Sequence, residues 1–162
     1  MLDFAVAKPP NPQVPLTLVL GGMKTPFNIT TSQDCDDLIL LSDGRYQLVS
    51  GGDTAPLMIG YQYVVADLEF LSHLESVNAE GFTPEPTSIF RRSTGEELSD
   101  YVRLRIHRGF TDSDLKDIDL EGDRLILMNQ EHLFATPTLC EKLKAEKISY
   151  IRLSPGLSQF AG

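Results

Sequence analysis

The alternation of apolar and polar positions predicts β-strands along most of the chain. Residues 38–52 place apolar runs on both sides of Asp43 and Gly44, a pair that favours a tight hairpin turn. Residues 56–65 are rich in β-branched and aromatic side chains and predict one further strand. Residues 101–108 alternate apolar with mainly cationic side chains, which is typical of a strand with one buried and one solvated face.

Two segments change to helical spacing. Apolar side chains recur every three or four positions between about residues 67 and 80, where Asp67 is the predicted N-cap and Gly81 the predicted stop. A second helix is predicted over about residues 137–147, with Thr136 as its cap and a proline in its first position. Roughly six or seven strands with two principal helices predict an α+β fold with a mainly antiparallel sheet.

The length of 162 residues fits a single domain that spans residues 1–162. Four of the ten prolines fall within residues 8–15, so we expect residues 1–15 to form an extended lead-in. A short buried strand that ends in glycines is predicted over residues 16–22, and a last strand over residues 148–154.

A weak internal similarity accompanies the two helices. Each is followed by an Ala-Glu pair, a short link and a strand, and a shift of 66 positions aligns Ala79 and Glu80 with Ala145 and Glu146. The identities are too few to establish a duplication from sequence.

The charge balance limits the ligands that the chain can bind. Fourteen Lys and Arg residues against 23 Asp and Glu residues give a net charge of −9. An acidic surface repels phosphate backbones, so we do not expect nucleic acid as a ligand. The same surface attracts basic partners.

The sequence also predicts a cytoplasmic location. No apolar run approaches the length of a membrane-spanning helix, and residues 1–13 lack the pattern of a secretory signal. Cys35 and Cys140 are far apart and belong to no Cys-x-x-Cys pair, which favours a reducing compartment.

Searches for catalytic and metal-binding patterns find no complete one. The chain has no Gly-x-Ser-x-Gly pentad and no phosphate-binding glycine loop, and its three histidines do not share a helix face. Residues 117–128 begin like a calcium loop but end in Met128, where a bidentate glutamate is required. We therefore predict no catalytic residues, no metal and no cofactor.

A cationic cluster interrupts the acidic chain between residues 88 and 108. One interpretation is a charged cleft for a phosphate or carboxylate ligand, and the other is a solvated hairpin with salt bridges of little energetic value. The candidate anion-binding residues are Arg91, Arg92, Arg103 and Arg105.

The order of segments over residues 67–155 carries a family resemblance. The first helix leads to an extended segment, a turn at Thr94 and Gly95, and a strand that contains Tyr101. A Leu-Phe-x-Ser/Thr-x-x-Leu helix motif then leads to a strand, with Leu133, Phe134, Leu139, Ile148 and Ile151 at the matching positions. This order resembles a broad group of bacterial immunity proteins that neutralise polymorphic or contact-delivered toxins.

The resemblance implies a binding protein without shared catalytic residues. Such a protein occludes the active site or substrate surface of its cognate toxin domain, and an acidic face steers it towards a basic toxin. Tyr61, Tyr63 and Tyr101 are candidate aromatic anchors. The partner-binding residues that we predict are Tyr101 and the acidic run, which consists of Asp112, Asp114, Asp117, Asp119, Glu121 and Asp123.

Two alternative functions are also compatible with the sequence. An acidic secretion chaperone or adaptor for an effector has a similar length and charge, although such proteins usually dimerise through helices. A small enzyme that acts on a phosphorylated or nucleotide ligand would use the four arginines to hold the anion, and its ligand would raise its thermal stability.

Overall fold

The computed structural model describes residues 25–111 and 118–156. The predicted lead-in, the predicted strand over residues 16–22, and Asp112, Asp114 and Asp117 lie outside the described residues. The elements are β1 Phe27–Thr31, β2 Leu38–Leu40, β3 Tyr46–Leu48, β4 Leu57–Gly60, β5 Tyr63–Asp67, α1 Leu68–Ser76, β6 Phe82–Arg91, β7 Glu96–Ile106, β8 Gly109–Phe110, β9 Leu125–Met128, β10 His132–Ala135, α2 Pro137–Ala145 and β11 Ile151–Pro155.

The strands form two sheets. One has five strands in the order β11-β1-β10-β9-β8, and the other has six in the order β2-β3-β6-β7-β5-β4. The predicted α+β class, dominated by strands and with two helices, is confirmed. The sheets are mixed, however, because β3 pairs with β6 and β8 with β9 in parallel.

The local turns confirm one prediction and correct another. The hairpin at Asp43 and Gly44 is present, with φ +93° at the glycine between β2 and β3. The prediction of one strand over residues 56–65 is wrong, because the chain reverses at Gln62, where φ is +66°. β4 and β5 are therefore the two arms of a tight antiparallel hairpin.

Both helices occur where the sequence predicts them, with shorter bounds. The side chain of Asp67 accepts a hydrogen bond from the N–H of Phe70 at 2.8 Å and caps α1 as predicted. The predicted stop at Gly81 is wrong: α1 ends at Ser76, and the chain turns away at Asn78, where φ is +56°.

Thr136 occupies the N-cap position of α2 without capping it through its side chain. Its hydroxyl instead donates to the carbonyl of Gly122 at 2.6 Å and accepts the N–H of Arg124 at 2.9 Å. This buried hydroxyl therefore fixes the segment before β9 against the start of α2.

The main hydrophobic core lies between the two sheets and the two helices. Each of these four parts contributes fully buried side chains, so the two sheets and the two helices share this core. Representative residues are Phe27 and Ile29 of β1, Val64 and Ala66 of β5, Phe70 and Leu74 of α1, Leu133 of β10, and Leu139 and Leu143 of α2.

The two sheets repeat one topology. β4-β5-α1-β6-β7 gives the strand order β6-β7-β5-β4, and β9-β10-α2-β11 together with β1 gives the order β11-β1-β10-β9. In both units the helix connects two strands that flank a third strand and run antiparallel to it. The weak similarity at a shift of 66 positions therefore has a counterpart in topology, with β1 supplying the last strand of the second unit.

The six-stranded sheet curls around a second, smaller core. Side chains from β2 to β6 meet there, including Tyr46, Met58 and Val65. The hydroxyl of Tyr63 in β5 accepts the backbone N–H of Leu38 in β2 at 3.2 Å, although the two strands are four places apart in the sheet. The sheet is thus a partly closed barrel with β2 at one edge.

Candidate functional site

A cleft of about 470 Å³ opens at the mouth of this partly closed barrel. Its walls are mainly aromatic and aliphatic, with two arginines and two glutamines among them. A cleft of this size with apolar walls and a few converging polar groups is typical of a ligand-binding site. Its lining includes Leu40, Tyr46, Tyr61, Tyr63, Arg103 and Arg105.

The cleft exists because β5 and β7 separate. They pair from Val65, opposite Arg103, to Asp67, opposite Tyr101. β5 starts two residues earlier, at Tyr63, and β7 continues to Ile106, but these ends of the two strands do not pair. The cleft opens where the pairing between β5 and β7 is missing.

Two of the four predicted anion-binding arginines line the cleft. Arg105 is exposed and forms an ion pair with Glu85 at 2.8 Å. Arg103 lies on the same face of β7, is half-buried, and forms no ion pair with any described residue. The cleft therefore carries one cationic charge that is not compensated within the described part of the chain.

Tyr46 forms the inner wall of the cleft. Its side chain is 1% exposed, and its buried hydroxyl has no hydrogen-bond partner among the described residues. Burial raises the pKa of this hydroxyl; the nearby positive charge of Arg103 opposes the shift and Glu85 adds to it. A buried hydroxyl without a partner is unfavourable by about 1–3 kcal/mol, which makes Tyr46 the least satisfied polar group in the cleft.

Tyr61 and Tyr63 form the outer walls on either side of the β4–β5 turn. Tyr61 is 62% exposed, as expected for an aromatic anchor, whereas Tyr63 packs against Tyr46 with ring centroids 5.8 Å apart. A Cβ at Gly60 would overlap the ring of Tyr63, so a larger residue at this position would require the ring to move. The turn is also tied to the other sheet, because the N–H of Gln62 donates to the carbonyl of Gln130 at 2.7 Å.

The other two predicted anion-binding arginines lie elsewhere, at the far end of the β6–β7 hairpin. Arg91 donates to the carbonyls of Gly51 and Gly52 at 2.6 and 2.9 Å and pairs with Glu96 at 3.2 Å. Arg92 is exposed in the turn. The structure thus separates the predicted set into Arg103 and Arg105 in the cleft and Arg91 and Arg92 outside it.

The described part of the acidic run is largely neutralised by neighbouring cations. Asp119 lies 3.1 Å from Arg124 and 3.5 Å from Arg108, and Asp123 lies 2.7 Å from Lys142. Glu121 is exposed. These ion pairs lower the charge that Asp119 and Asp123 present to a partner.

Tyr101, the remaining predicted contact residue, is half-buried in the smaller core. Its hydroxyl donates to the carbonyl of Ala55 at 3.5 Å. Burial raises the pKa of Tyr101, which is consistent with a side chain that mainly packs against the sheet.

A second surface lies beside the cleft, at the outer edge of the six-stranded sheet. Five large hydrophobic side chains are about half exposed or more among the described residues, and four of them belong to this surface or to the adjoining turn. They are Ile39 at 50%, Leu40 at 49%, Val49 at 48% and Tyr61 at 62%. Residues 39 and 40 point to opposite faces of β2, so apolar side chains are exposed on both sides of an edge strand.

Three aspartates, Asp34, Asp36 and Asp37, precede β2 and are close enough to raise the pKa of Cys35 together with burial, which is the larger cause. Asp36 accepts the N–H groups of Ser50 and Gly52 at 2.7 and 3.0 Å and holds the following loop. We call the surface formed by Asp34, Asp37, Ile39, Leu40, Val49 and Tyr61 the β2 edge.

Other chemistry is sparse within residues 25–111 and 118–156. No group of three or more potential metal ligands occurs there, and no helix there is long and apolar enough to cross a membrane. Cys140 is buried in the main core, and burial raises the pKa of its thiol to about 11. Its environment is that of a small core side chain and opposes thiolate formation.

Comparison with protein-family models, with curated proteins and with solved structures finds no match to this chain. The cleft and the β2 edge therefore carry the functional argument on their own physical properties.

Proposed function

We propose that this protein is an immunity protein that binds a cognate bacterial toxin domain through the β2 edge and covers the toxin's active site or substrate surface. The observation that carries the proposal is the exposed apolar surface on both faces of β2. An edge strand with exposed apolar side chains is prone to pair with other chains, so natural proteins usually protect such edges. A partner that docks on this strand would provide that protection.

The chemistry of the β2 edge supports a basic protein as the occupant. Apolar and aromatic side chains form its centre, and Asp34 and Asp37 are exposed beside them. Tyrosine and arginine are the side chains most often found at binding hot spots, and both line the adjoining cleft. The net charge of −9 favours rapid association with a cationic partner.

The experiment is co-expression with the product of the neighbouring upstream gene, followed by capture on the tagged protein and by a toxicity assay. Ile39→Ser and Tyr61→Ala should each weaken capture and rescue from toxicity at least tenfold. Leu68→Ser is the matched control, because Leu68 is also 50% exposed but lies on α1. If the wild type is captured and rescues the cells, and all three variants do so equally well, the β2 edge is excluded as the interface. If the wild type shows neither capture nor rescue, this toxin is excluded as the partner and the proposal is contradicted.

A further inference from the structure

The arginine and tyrosine at the inner end of the cleft define a second site, separate in chemistry from the apolar β2 edge. The cleft holds two arginines and no other charged lining residue, and the single carboxylate in contact with them is Glu85, which pairs with Arg105. Within the described residues this leaves one positive charge, on Arg103. Partial burial of a cation without a counter-ion costs free energy, and a bound anion would reduce that cost.

Tyr46 provides the independent observation. Tyr46 lines the same cleft, and its hydroxyl is buried and has no hydrogen-bond partner among the described residues. A carboxylate accepts hydrogen bonds from a guanidinium fork and from a phenolic hydroxyl at the same time. Because the hydroxyl is buried, the side chains around it must move before a ligand reaches both groups.

We infer that the cleft binds a small molecule that carries a single carboxylate on an apolar or aromatic body, with Arg103 and Tyr46 holding the carboxylate and Tyr61 and Tyr63 enclosing the body. The charge balance selects a monoanion, since one cationic charge is left after the Arg105–Glu85 pair. The volume of about 470 Å³ accommodates a molecule of this kind. The aromatic walls favour a flat body, because rings stack in offset or edge-on arrangements.

Benzoate is the probe, and benzamide and phenyl phosphate are its matched analogues. Titration of the full chain with benzoate, followed by amide and arginine side-chain resonances in NMR spectra, should give saturable shifts of residues around the cleft. Benzamide has the same ring without the charge and should bind at least tenfold more weakly. Phenyl phosphate at neutral pH carries more than one charge and should also bind more weakly than benzoate.

Two variants test whether Arg103 and Tyr46 bind the carboxylate of benzoate. Arg103→Gln should weaken benzoate binding at least tenfold, and Tyr46→Phe should weaken it about threefold. Arg92→Gln makes the same change of charge at an exposed turn outside the cleft and should leave the affinity unchanged. Circular dichroism of each variant separates loss of binding from loss of fold.

Several results would overturn the inference. They are equal affinity for benzoate and benzamide, tighter binding of phenyl phosphate, or unchanged affinity in Arg103→Gln or Tyr46→Phe. Failure of benzoate to shift any cleft resonance at tens of millimolar would do the same. Tyr61 belongs to both surfaces, whereas Ile39 lies outside the cleft. Ile39→Ser, tested without any small molecule, therefore keeps the toxin-binding proposal independent of these results.

Discussion

The hydroxyl of Tyr63 accepts a hydrogen bond from the backbone N–H of Leu38 at 3.2 Å and thereby joins β5 to the edge strand β2. Leu38 is buried, so its N–H has little access to water as an alternative partner. This contact holds the sheet in its curled form and shapes one wall of the cleft.

Removal of that hydroxyl should loosen the β2 edge. We expect Tyr63→Phe to lower the free energy of unfolding by about 1 kcal/mol, because a buried backbone donor loses its acceptor. Urea unfolding measures the loss, and hydrogen exchange of the Leu38 amide should accelerate in parallel. Tyr61→Phe is the control, since that hydroxyl lies on an exposed side chain without a hydrogen bond to another described residue. Equal effects of the two variants would contradict the proposed link.

The hydrogen bonds that Glu146 makes between the two helices should make stability depend on acid pH. Glu146, at the end of α2, lies 2.8 Å from His73 of α1 and accepts the hydroxyl of Ser76 at 3.0 Å. These hydrogen bonds lower the pKa of Glu146 below its ordinary value. A carboxylate whose pKa is lower in the folded state than in the unfolded state stabilises the fold at pH values above the unfolded-state pKa. This contribution is lost as the pH falls through the folded-state pKa.

The free energy of unfolding should therefore fall more steeply in the wild type than in Glu146→Gln as the pH is lowered from about 7 to about 3. Glu75→Gln is the control, because it removes an exposed carboxylate of α1 that forms no ion pair with a described residue. A wild-type profile parallel to that of Glu146→Gln would show that the pair contributes nothing to the pH dependence.

The two thiols should react at very different rates. With a pKa of about 11, Cys140 is ionised to about one part in a thousand at pH 8, and its sulfur is buried in the main core. In Cys35→Ser, Ellman's reagent should therefore label Cys140 only as fast as the protein unfolds. In Cys140→Ser, the half-exposed Cys35 should label more quickly. Rapid labelling of Cys140 in the folded protein would show that α2 opens without global unfolding.

A pair of glycine substitutions separates backbone strain from steric contact. Gly81 and Gly95 both have positive φ, +89° and +75°, which costs an alanine about 1–2 kcal/mol. A Cβ at Gly81 would also lie 2.7 Å from the carbonyl oxygen of Leu125, whereas a Cβ at Gly95 meets nothing within 4 Å. We expect Gly81→Ala to be less stable than Gly95→Ala by about 1–3 kcal/mol in chemical unfolding, because of overpacking. Equal stabilities would indicate that the Gly81 segment moves away from β9 at little cost.

Local patterns in the sequence predicted most of the elements, because each depends on residues close together in the chain. The alternation after Tyr101 and the cap at Asp67 are of this kind, and both occur in the structure. Pro84 and Pro86 lie inside β6, although proline has no backbone N–H to donate within a sheet. β6 tolerates them because β3 pairs with it only at Ile89 and Phe90, and the backbone nitrogens of the two prolines face the unpaired edge.

The cleft could not be predicted in the same way, because its residues come from β2, β3, β5 and β7. The period of two placed Arg103 and Arg105 on one face of β7, but Arg91 and Arg92, equally cationic, lie at the other end of the hairpin. The sequence gives no indication of Tyr46, since an isolated tyrosine in a short strand carries no local sign of a buried hydroxyl without a partner. Only the curl of the sheet brings Tyr46, Tyr63 and Arg103 together.

The position of β1 has a consequence for the order in which the protein can fold during synthesis. β1 lies between β10 and β11, and the N–H of Gly156 donates to the carbonyl of Pro26 at 2.9 Å. Among the described strands, the first to leave the ribosome is thus enclosed by the last two. Phe27 and Ile29 therefore remain exposed until residues 132–155 have been synthesised. Contacts between segments so far apart in the chain form slowly. A nascent chain halted before β10 should keep β1 sensitive to protease, and release of the complete chain should protect it.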